Sequence, residues 1–263
     1  MPLTISHPAA SIPLTKLGLV LSALIIGSMT PDFSYFIPLF ANSIFSHTFI
    51  GMFVYCLPVG LISLIMFHYL IKYPALSLLP SNHQSRLHGI VNGFSFWPLQ
   101  KLGSILLSIL AGAFTHILWD SFTHPGGWIV EQFTILKSPI FTIGTHGLPI
   151  FEFLQYCSTL FGGALMIYWY IKWYKNTKPN PIQTDLTIST SAKLPIFLAM
   201  SSIALVTAIL SSFVIAPEFQ VSIFQRLHLF ISHIFTVGVS VLTLELIFFS
   251  VYWHFNFKKL NVE

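Results

Sequence analysis

Two histidines and an aspartate follow one another at four-residue intervals near the end of a long apolar run. They are His116, Asp120 and His124. On a helix, positions i, i+4 and i+8 lie along one stripe, so the three side chains are predicted to converge on one side. Imidazoles and carboxylates are the groups with which proteins bind zinc and similar divalent ions. The spacing therefore predicts a metal site, with a structural network of hydrogen-bonded His and Asp as the alternative.

The residues that follow this stripe limit the helix. Pro125 disfavours helical backbone geometry at the residue before it, so the helix is predicted to end at His124. Gly126 and Gly127 then permit a tight loop that approaches the site closely.

Five further residues carry groups suited to the same chemistry. His7, Asp32, His47 and His146 are candidate metal ligands, and Glu152 is a candidate general base or additional ligand. Each also has an ordinary structural role open to it, such as a helix cap for Asp32 or a loop position for His146. The elements that carry these residues decide whether they meet.

The composition of the chain indicates an integral membrane protein. Hydrophobic residues make up 54% of it and charged residues only 8%, whereas soluble domains carry about 25% charged residues. The lipid bilayer is therefore the expected environment. The net charge of +4 arises mainly from Lys and Arg in short loops between apolar runs, which is typical of topology signals and does not indicate a nucleic-acid partner.

Five apolar runs meet the length of about 20 residues that a membrane-spanning helix needs. They cover about 50–71, 102–122, 148–171, 194–216 and 229–253. A sixth candidate, about 17–40, is broken by the sequence Thr-Pro-Asp at 30–32, and it is expected either to span as a kinked helix or to re-enter from one side. The predicted fold is an all-α polytopic integral membrane helix bundle, with five spans plus an N-terminal sixth or re-entrant helix. Residues 1–263 are expected to form a single transmembrane domain.

The distribution of Lys and Arg predicts the orientation of the spans. The loops 72–101 and 172–193 and the tail after residue 253 together hold nine of these residues. The alternate loops, 123–147 and 217–228, hold two. By the positive-inside rule the first set, which includes the C-terminus, is predicted to be cytoplasmic.

This orientation predicts that the candidate residues gather at the outer membrane face. The span 102–122 runs outward, so its stripe lies at the outer end. The span 50–71 begins at the outer face, and so does the span 148–171. At or beside these span ends lie His47, His116, Asp120, His124, His146 and Glu152, and Asp32 joins them if the segment 17–40 ends at the outer face.

Three stretches carry a resemblance to a known family. They are MPLTISHPAA at 1–10, SALIIGSMTPDF at 22–33 and GAFTHILWDSFTHPGG at 112–127, followed by Gly-Leu-Pro at 147–149. In these stretches the chain resembles the DUF4184 family of bacterial membrane proteins. The resemblance implies a multi-pass protein of the bacterial plasma (inner) membrane.

Two looser similarities concern the order of the candidate ligands. The elements Gly-Ser-x-x-Pro-Asp and His-x-x-x-Asp are similar to those of YdjM-like predicted membrane-bound metal-dependent hydrolases. The order His7, Asp32, His47, His116, Asp120, His124, His146 is similar to the ligand order of zinc-dependent phospholipase C and P1 nuclease. Ile150 stands where that pattern has a final Glu, and Glu152 follows two residues later. These similarities imply one or two divalent metal ions, with zinc expected.

The sequence thus favours a membrane-bound metal-dependent hydrolase. A metal ion would lower the pKa of a bound water and polarise a phosphoryl or carbonyl oxygen. The first ligands would be His116, Asp120, Asp32 and His47, and Asp120 is placed to bridge two ions. A site at the membrane boundary suits a phosphoester or lipid head group as substrate. The alternatives are a non-catalytic membrane protein with a structural His/Asp network and a metal or ion transporter.

Overall fold

The computed structural model describes residues 4–36, 43–91, 94–143, 146–180, 188–215 and 223–257. Within these ranges helices dominate, and the described β structure is one short hairpin. The prediction of an all-α protein is therefore confirmed.

The N-terminal part consists of short helical segments. These are α1 (Pro8–Ser11), α2 (Leu21–Met29), α3 (Phe33–Phe36) and α4 (Ser43–Ser46), with 3-10 turns at Thr4–Ser6, Ile12–Leu17 and Thr30–Asp32. The candidate segment 17–40 is thus broken at the Thr-Pro-Asp sequence, as predicted. Residues 37–40 of it lie outside the described residues, and the segment does not appear among the helices long enough to span.

Longer helices follow. They are α5 (Phe49–Leu78, with π-helical turns at Met52–Cys56 and Phe67–Ile71), α6 (Ser81–Val91), α7 (Leu99–Thr123), α8 (Trp128–Gln132), α9 (Ile150–Asn176), α10 (Thr190–Ile215) and α11 (Ile223–Phe257), with a 3-10 turn at Thr134–Lys137. Helix α7 ends at Thr123, and His124 has extended backbone geometry, with φ −123° and ψ 146°, as Pro125 predicted.

Five helical segments are long and apolar enough to cross a membrane. They are Phe49–Leu78, Leu99–Gln132, Ile150–Asn176, Thr190–Phe213 and Leu229–Asn256. Each contains most of one predicted span, so the five predicted spans are confirmed as helices of suitable length and composition.

A β-hairpin that begins in the loop 123–147 and includes the first two residues of the predicted span 148–171 was not predicted. Strands β1 (Pro139–Ile143) and β2 (His146–Pro149) pair antiparallel, with Thr142 opposite Gly147. Strands of five and four residues are too short for an alternating pattern to stand out in a sequence this apolar.

The chain divides into two compact units. The first comprises 1–34, 38–64 and 95–176, and the second comprises 35–37, 65–94 and 177–263. In the second unit α10 packs against α11, and the Lys193 ammonium donates a hydrogen bond to the Leu79 carbonyl at 2.9 Å. The first unit contains every candidate functional residue. The single transmembrane domain stays a prediction.

Helices α2 and α7 form the main packing contact of the first unit. They approach at glycines: a Cβ on Gly112 would lie 2.6 Å from the backbone nitrogen of Ser28 and 3.0 Å from the carbonyl carbon of Gly27. Both neighbours are backbone atoms, so a larger residue would push the helices apart. This close approach brings Ser28, and the Thr30–Asp32 turn that follows it, alongside the second half of α7.

The N-terminal turn packs against α9, and the helix α1 that follows it packs against both α7 and α9. A Cβ on Gly162 of α9 would lie 3.0 Å from the Cβ and the carbonyl oxygen of Ser6. On the α7 side, the Ser108 hydroxyl accepts a hydrogen bond of 2.8 Å from the backbone N–H of Val20 and so satisfies a donor at the start of α2. These contacts hold His7, which follows Ser6, inside the unit.

Candidate metal centre

Four side chains from three parts of the first unit meet at one point. The Nε2 atom of His116 lies 3.2 Å from Asp120 Oδ2 and 3.6 Å from Asp32 Oδ1. The Nε2 atom of His47 lies 3.4 Å from the same Asp32 oxygen and 3.5 Å from the same Asp120 oxygen. All four ligand atoms lie within 4.8 Å of one another. We call these residues the four-residue cluster.

The elements fix these side chains from different directions. His116 and Asp120 are one helical turn apart on the buried stripe of α7. Asp32 ends the 3-10 turn after α2, and His47 follows α4. The Ser46 hydroxyl donates a hydrogen bond of 2.7 Å to the carbonyl of Pro31, which ties the segment that carries His47 to the turn that carries Asp32.

Backbone carbonyls orient both histidines of the cluster. The Nδ1 atom of His116 lies 2.7 Å from the carbonyl oxygen of Ser28, and that of His47 lies 2.8 Å from the carbonyl oxygen of Ser43. A carbonyl only accepts hydrogen bonds, so each Nδ1 carries a proton. In a neutral imidazole the lone pair is then on Nε2, which here faces the carboxylates. Metal-binding histidines are held in this way.

The distances in the cluster suit a divalent ion. Four ligands at about 2.0–2.1 Å from a tetrahedral zinc ion lie about 3.3 Å from one another. The four nitrogen–oxygen distances of 3.2 to 3.6 Å lie around this value, and the nitrogen–nitrogen and oxygen–oxygen pairs lie within 4.8 Å. Two carboxylates balance the charge of one divalent ion, so the residues present fit such an ion without further charged groups.

Because Asp32 and Asp120 are buried, their carboxylates need a positively charged partner. His116 is fully buried, Asp32 and Asp120 are buried, and the side chain of His47 is 22% exposed. Burial alone would raise the pKa of Asp32, but the charge on His116 and hydrogen bonds from His116, His47 and Thr4 outweigh it and hold that pKa well below its usual value. The Thr4 hydroxyl donates to Asp32 Oδ2 at 2.6 Å.

The pKa of His47 moves in the opposite direction. Burial lowers it, but hydrogen bonds to Asp120 and Asp32 have the larger combined effect and raise it to about 9. Without a metal ion, His47 therefore binds a proton at neutral pH, at the place where a metal ion would bind.

Two more histidines face the second oxygen of Asp120. Its Oδ1 atom lies 3.6 Å from Nε2 of His7 and 3.3 Å from Nδ1 of His124. The His7 ring stacks on that of His116, with centroids 3.8 Å apart. Burial, followed by the charge on His116, lowers the pKa of His7 to about 3, so this imidazole is neutral at physiological pH.

The structure thus brings together six of the eight sequence candidates: His7, Asp32, His47, His116, Asp120 and His124. Glu152 lies in the first turn of α9 and accepts a hydrogen bond of 3.0 Å from the Tyr156 hydroxyl. No hydrogen bond or ion pair of the described residues joins it to the cluster. The backbone of His146 lies in β2, and its side chain lies outside the described residues.

Sequence reasoning missed the partners that orient the ligands. Gln155 is a buried polar residue in the apolar helix α9, and its Nε2 lies 3.3 Å from Nε2 of His124. Its polarity inside an apolar run was an available signal. The carbonyls of Ser28 and Ser43 were not predictable, since every residue has one and only the fold selects which of them meets a ligand.

The model of a family described as a domain of unknown function, DUF4184, matches residues 1–251. The chain belongs to the DUF4184 family. This confirms the resemblance seen in the sequence, and the matched region includes all six residues that the structure brings together. No curated protein and no solved structure matches the chain. The similarities to YdjM-like proteins and to the phospholipase C and P1 nuclease ligand order stay predictions.

In this DUF4184 chain the histidines around Asp120 differ in exposure. His47 and His124 have side chains that are 22% and 26% exposed, whereas those of His7 and His116 are almost completely buried. Water or a substrate would therefore approach past His47 and His124. The arrangement can hold a divalent ion between buried carboxylates, with a partly exposed imidazole beside it.

Proposed function

We propose that this protein is a membrane-bound metal-dependent hydrolase whose metal ion binds to Asp32, His47, His116 and Asp120. One observation carries the proposal: two imidazoles, each with its Nδ1 proton on a backbone carbonyl, direct Nε2 at the same two carboxylate oxygens. Imidazole with carboxylate is a donor set that suits zinc, and we propose zinc as the ion.

Catalysis needs room for water beside the protein ligands. When bound, a divalent ion would lower the pKa of a coordinated water and polarise the oxygen of an ester. With four protein ligands, a bound zinc ion would have to take water as a fifth ligand, which zinc accepts in catalytic sites. The exposed side at His47 offers that access.

An apolar cavity beside His7 and His124 supports an amphiphilic substrate. The cavity has a volume of about 720 Å³ and lies along α7 and α9. It is lined by Ala10, Thr115, Leu118, Trp119, Phe122, Thr123, Leu154, Cys157, Ser158 and Phe161. We propose that the substrate is a lipid or another membrane phosphoester, with its hydrocarbon chain in this cavity.

The cavity borders His7 and His124, the two histidines on the Oδ1 side of Asp120, which would place a head group near the metal site. The Thr123 hydroxyl lies 3.1 Å from Nδ1 of His124, and the Trp119 ring meets the His7 ring with centroids 5.9 Å apart. Following the distribution of Lys and Arg, we propose that this border lies at the outer face of a bacterial plasma membrane, with the C-terminus in the cytoplasm.

A hydrolysis assay tests the proposal. The zinc-loaded protein would be reconstituted into vesicles of glycerophospholipid or prenyl phosphoester, and released head group or phosphate would be measured. We expect hydrolysis by the wild type, background rates for Asp32→Asn, and no change for Glu131→Gln, a carboxylate on the surface paired with Lys137. Metal-loaded, folded wild-type protein that hydrolyses none of these esters would contradict the hydrolase and leave a structural metal site.

A further inference from the structure

The two oxygens of Asp120 face two different pairs of histidines. Oδ2 faces Nε2 of His47 and His116, which belong to the four-residue cluster. Oδ1 faces Nε2 of His7 and Nδ1 of His124, which do not. A carboxylate with nitrogen ligands on both oxygens is arranged to bridge two positive centres.

The side of Asp120 that faces His7 contains polar atoms without partners. His7 is 1% exposed, and neither of its ring nitrogens has a hydrogen-bond partner among the described residues. The same holds for Oδ1 of Asp120. A buried polar group without a partner is destabilising, and a native site that keeps several of them side by side indicates a ligand that satisfies them.

Gln155 orients the His124 ring beside Asp120. Its side-chain amide lies on Nε2 of His124, at 3.3 Å. The contacting atom is the amide nitrogen of Gln155, which donates to Nε2 of His124, and this contact holds the ring with Nδ1 toward Asp120 Oδ1 at 3.3 Å. Metal-binding histidines are commonly oriented by such a contact on the other ring nitrogen.

We propose a second divalent-cation subsite, formed by His7 Nε2, His124 Nδ1 and Asp120 Oδ1, with Asp120 as a bridge to the first ion. Distances of 3.3 and 3.6 Å from Oδ1 to the two nitrogens are close to the separation of about 3.3 Å expected between ligands of one ion. Gln155 acts as a positioning residue for His124. The subsite rests on the proposed metal site because the two share Asp120.

The subsite is tested by counting bound ions rather than by activity. Full-length protein in detergent would be stripped with a chelator and titrated with Zn²⁺ by calorimetry, and the bound zinc measured by mass spectrometry. We expect two ions per chain for the wild type and one for His7→Gln and for His124→Gln. We expect Gln155→Ala to weaken the second ion by about 10–100-fold. His254→Gln, a change outside the first unit, should keep two.

Binding of Mn²⁺ gives an independent test of whether Asp120 bridges two ions. Two Mn²⁺ ions joined by a carboxylate couple magnetically, so the wild type should give a coupled spectrum in electron paramagnetic resonance, and His7→Gln an isolated-ion spectrum.

The possible ion counts separate the two proposals. One ion per chain in the wild type, unchanged in folded His7→Gln and His124→Gln, would overturn the second subsite and leave the proposed function intact. No ion at all would overturn both.

Discussion

At the residue scale, the spacing of three residues predicted the centre of the site but not its chemistry in detail. His116 and Asp120 were identified because helical geometry places residues i and i+4 side by side. The roles of Thr4 and Gln155 depend on contacts 28 and 31 positions apart in the chain, which no local pattern encodes.

Thr4→Val tests the partner of Asp32. The change keeps the shape of the side chain but removes the hydroxyl that donates a hydrogen bond of 2.6 Å to Asp32 Oδ2. Loss of a buried hydrogen bond to a charged group costs about 1–3 kcal/mol, and loss of an orienting partner lowers metal affinity by about 10–100-fold. Chemical denaturation and zinc titration measure the two effects.

Thr243→Val is the matched control. The Thr243 hydroxyl is exposed and donates a hydrogen bond of 2.8 Å to the Val239 carbonyl of its own helix. Its replacement should change neither quantity. Equal effects of the two changes would show that Thr4 has no particular role at Asp32.

Metal binding is predicted to be pH-dependent through His47. Its pKa of about 9 means that a divalent ion must displace a proton from it at neutral pH, so affinity should rise from pH 6 toward pH 9. In the metal-free protein, by contrast, the contribution of His47 to folding stability falls as the pH rises. The folded pKa lies above the ordinary value of 6.5, so the stabilisation is complete below pH 6.5 and is lost as the pH rises through about 9.

Thermal unfolding of stripped and zinc-loaded protein across this pH range measures the difference. The gap in Tm between the two forms should widen as the pH rises. Calorimetry in buffers of different ionisation enthalpy should detect proton release on zinc binding, and His47→Gln should reduce it. Binding without proton release and with a constant gap would contradict this role of His47.

At the scale of elements, the five long helices were predictable, whereas their contacts were not. A run of apolar residues predicts that a helix is long enough to span a membrane. It does not predict which helix faces pack together, since nearly every face is apolar. The contact of α2 with α7 depends on Gly27 and Gly112, and glycines are frequent in membrane helices whether or not they lie at an interface.

Gly112→Ala is predicted to disturb the site through this contact. Its Cβ would lie 2.6 Å from the backbone nitrogen of Ser28, whose carbonyl holds His116. We expect a loss of about 1–3 kcal/mol in stability, as for other overpacked positions, together with weaker zinc binding. Unfolding and zinc titration would show both.

Gly103→Ala on the same helix provides the comparison. A Cβ there would meet nothing within 4 Å. Because alanine favours helix by up to about 1 kcal/mol over glycine, this change should leave stability equal or higher and zinc binding unchanged. A Gly112→Ala protein that behaves like Gly103→Ala would contradict the close helix contact.

At the scale of the whole molecule, the membrane class, the all-α fold and the meeting of span ends could be predicted. Composition decided the class, and alternation of the spans placed His47 and His116 at the same end, where the structure joins them. The division into two units was not predicted, because the boundary at residues 64 and 65 falls inside the continuous helix α5.

The orientation in the membrane is a prediction of its own. Nine Lys and Arg residues on one set of loops against two on the other predict a cytoplasmic C-terminus. Green fluorescent protein fused to the C-terminus should fluoresce in a bacterial host, and alkaline phosphatase fused after Lys137 should be active. The reverse pattern would place the cluster at the cytoplasmic face.

The metal content of the purified protein tests the central claim most directly. Mass spectrometry would be applied to the zinc-supplied wild type, to His116→Ala and to His254→Ala as control, each shown to be folded by circular dichroism. We predict at least about one divalent ion per chain in the wild type and the control, and its loss in His116→Ala. A folded wild type that binds no divalent ion would contradict the account and leave the six residues as a structural network.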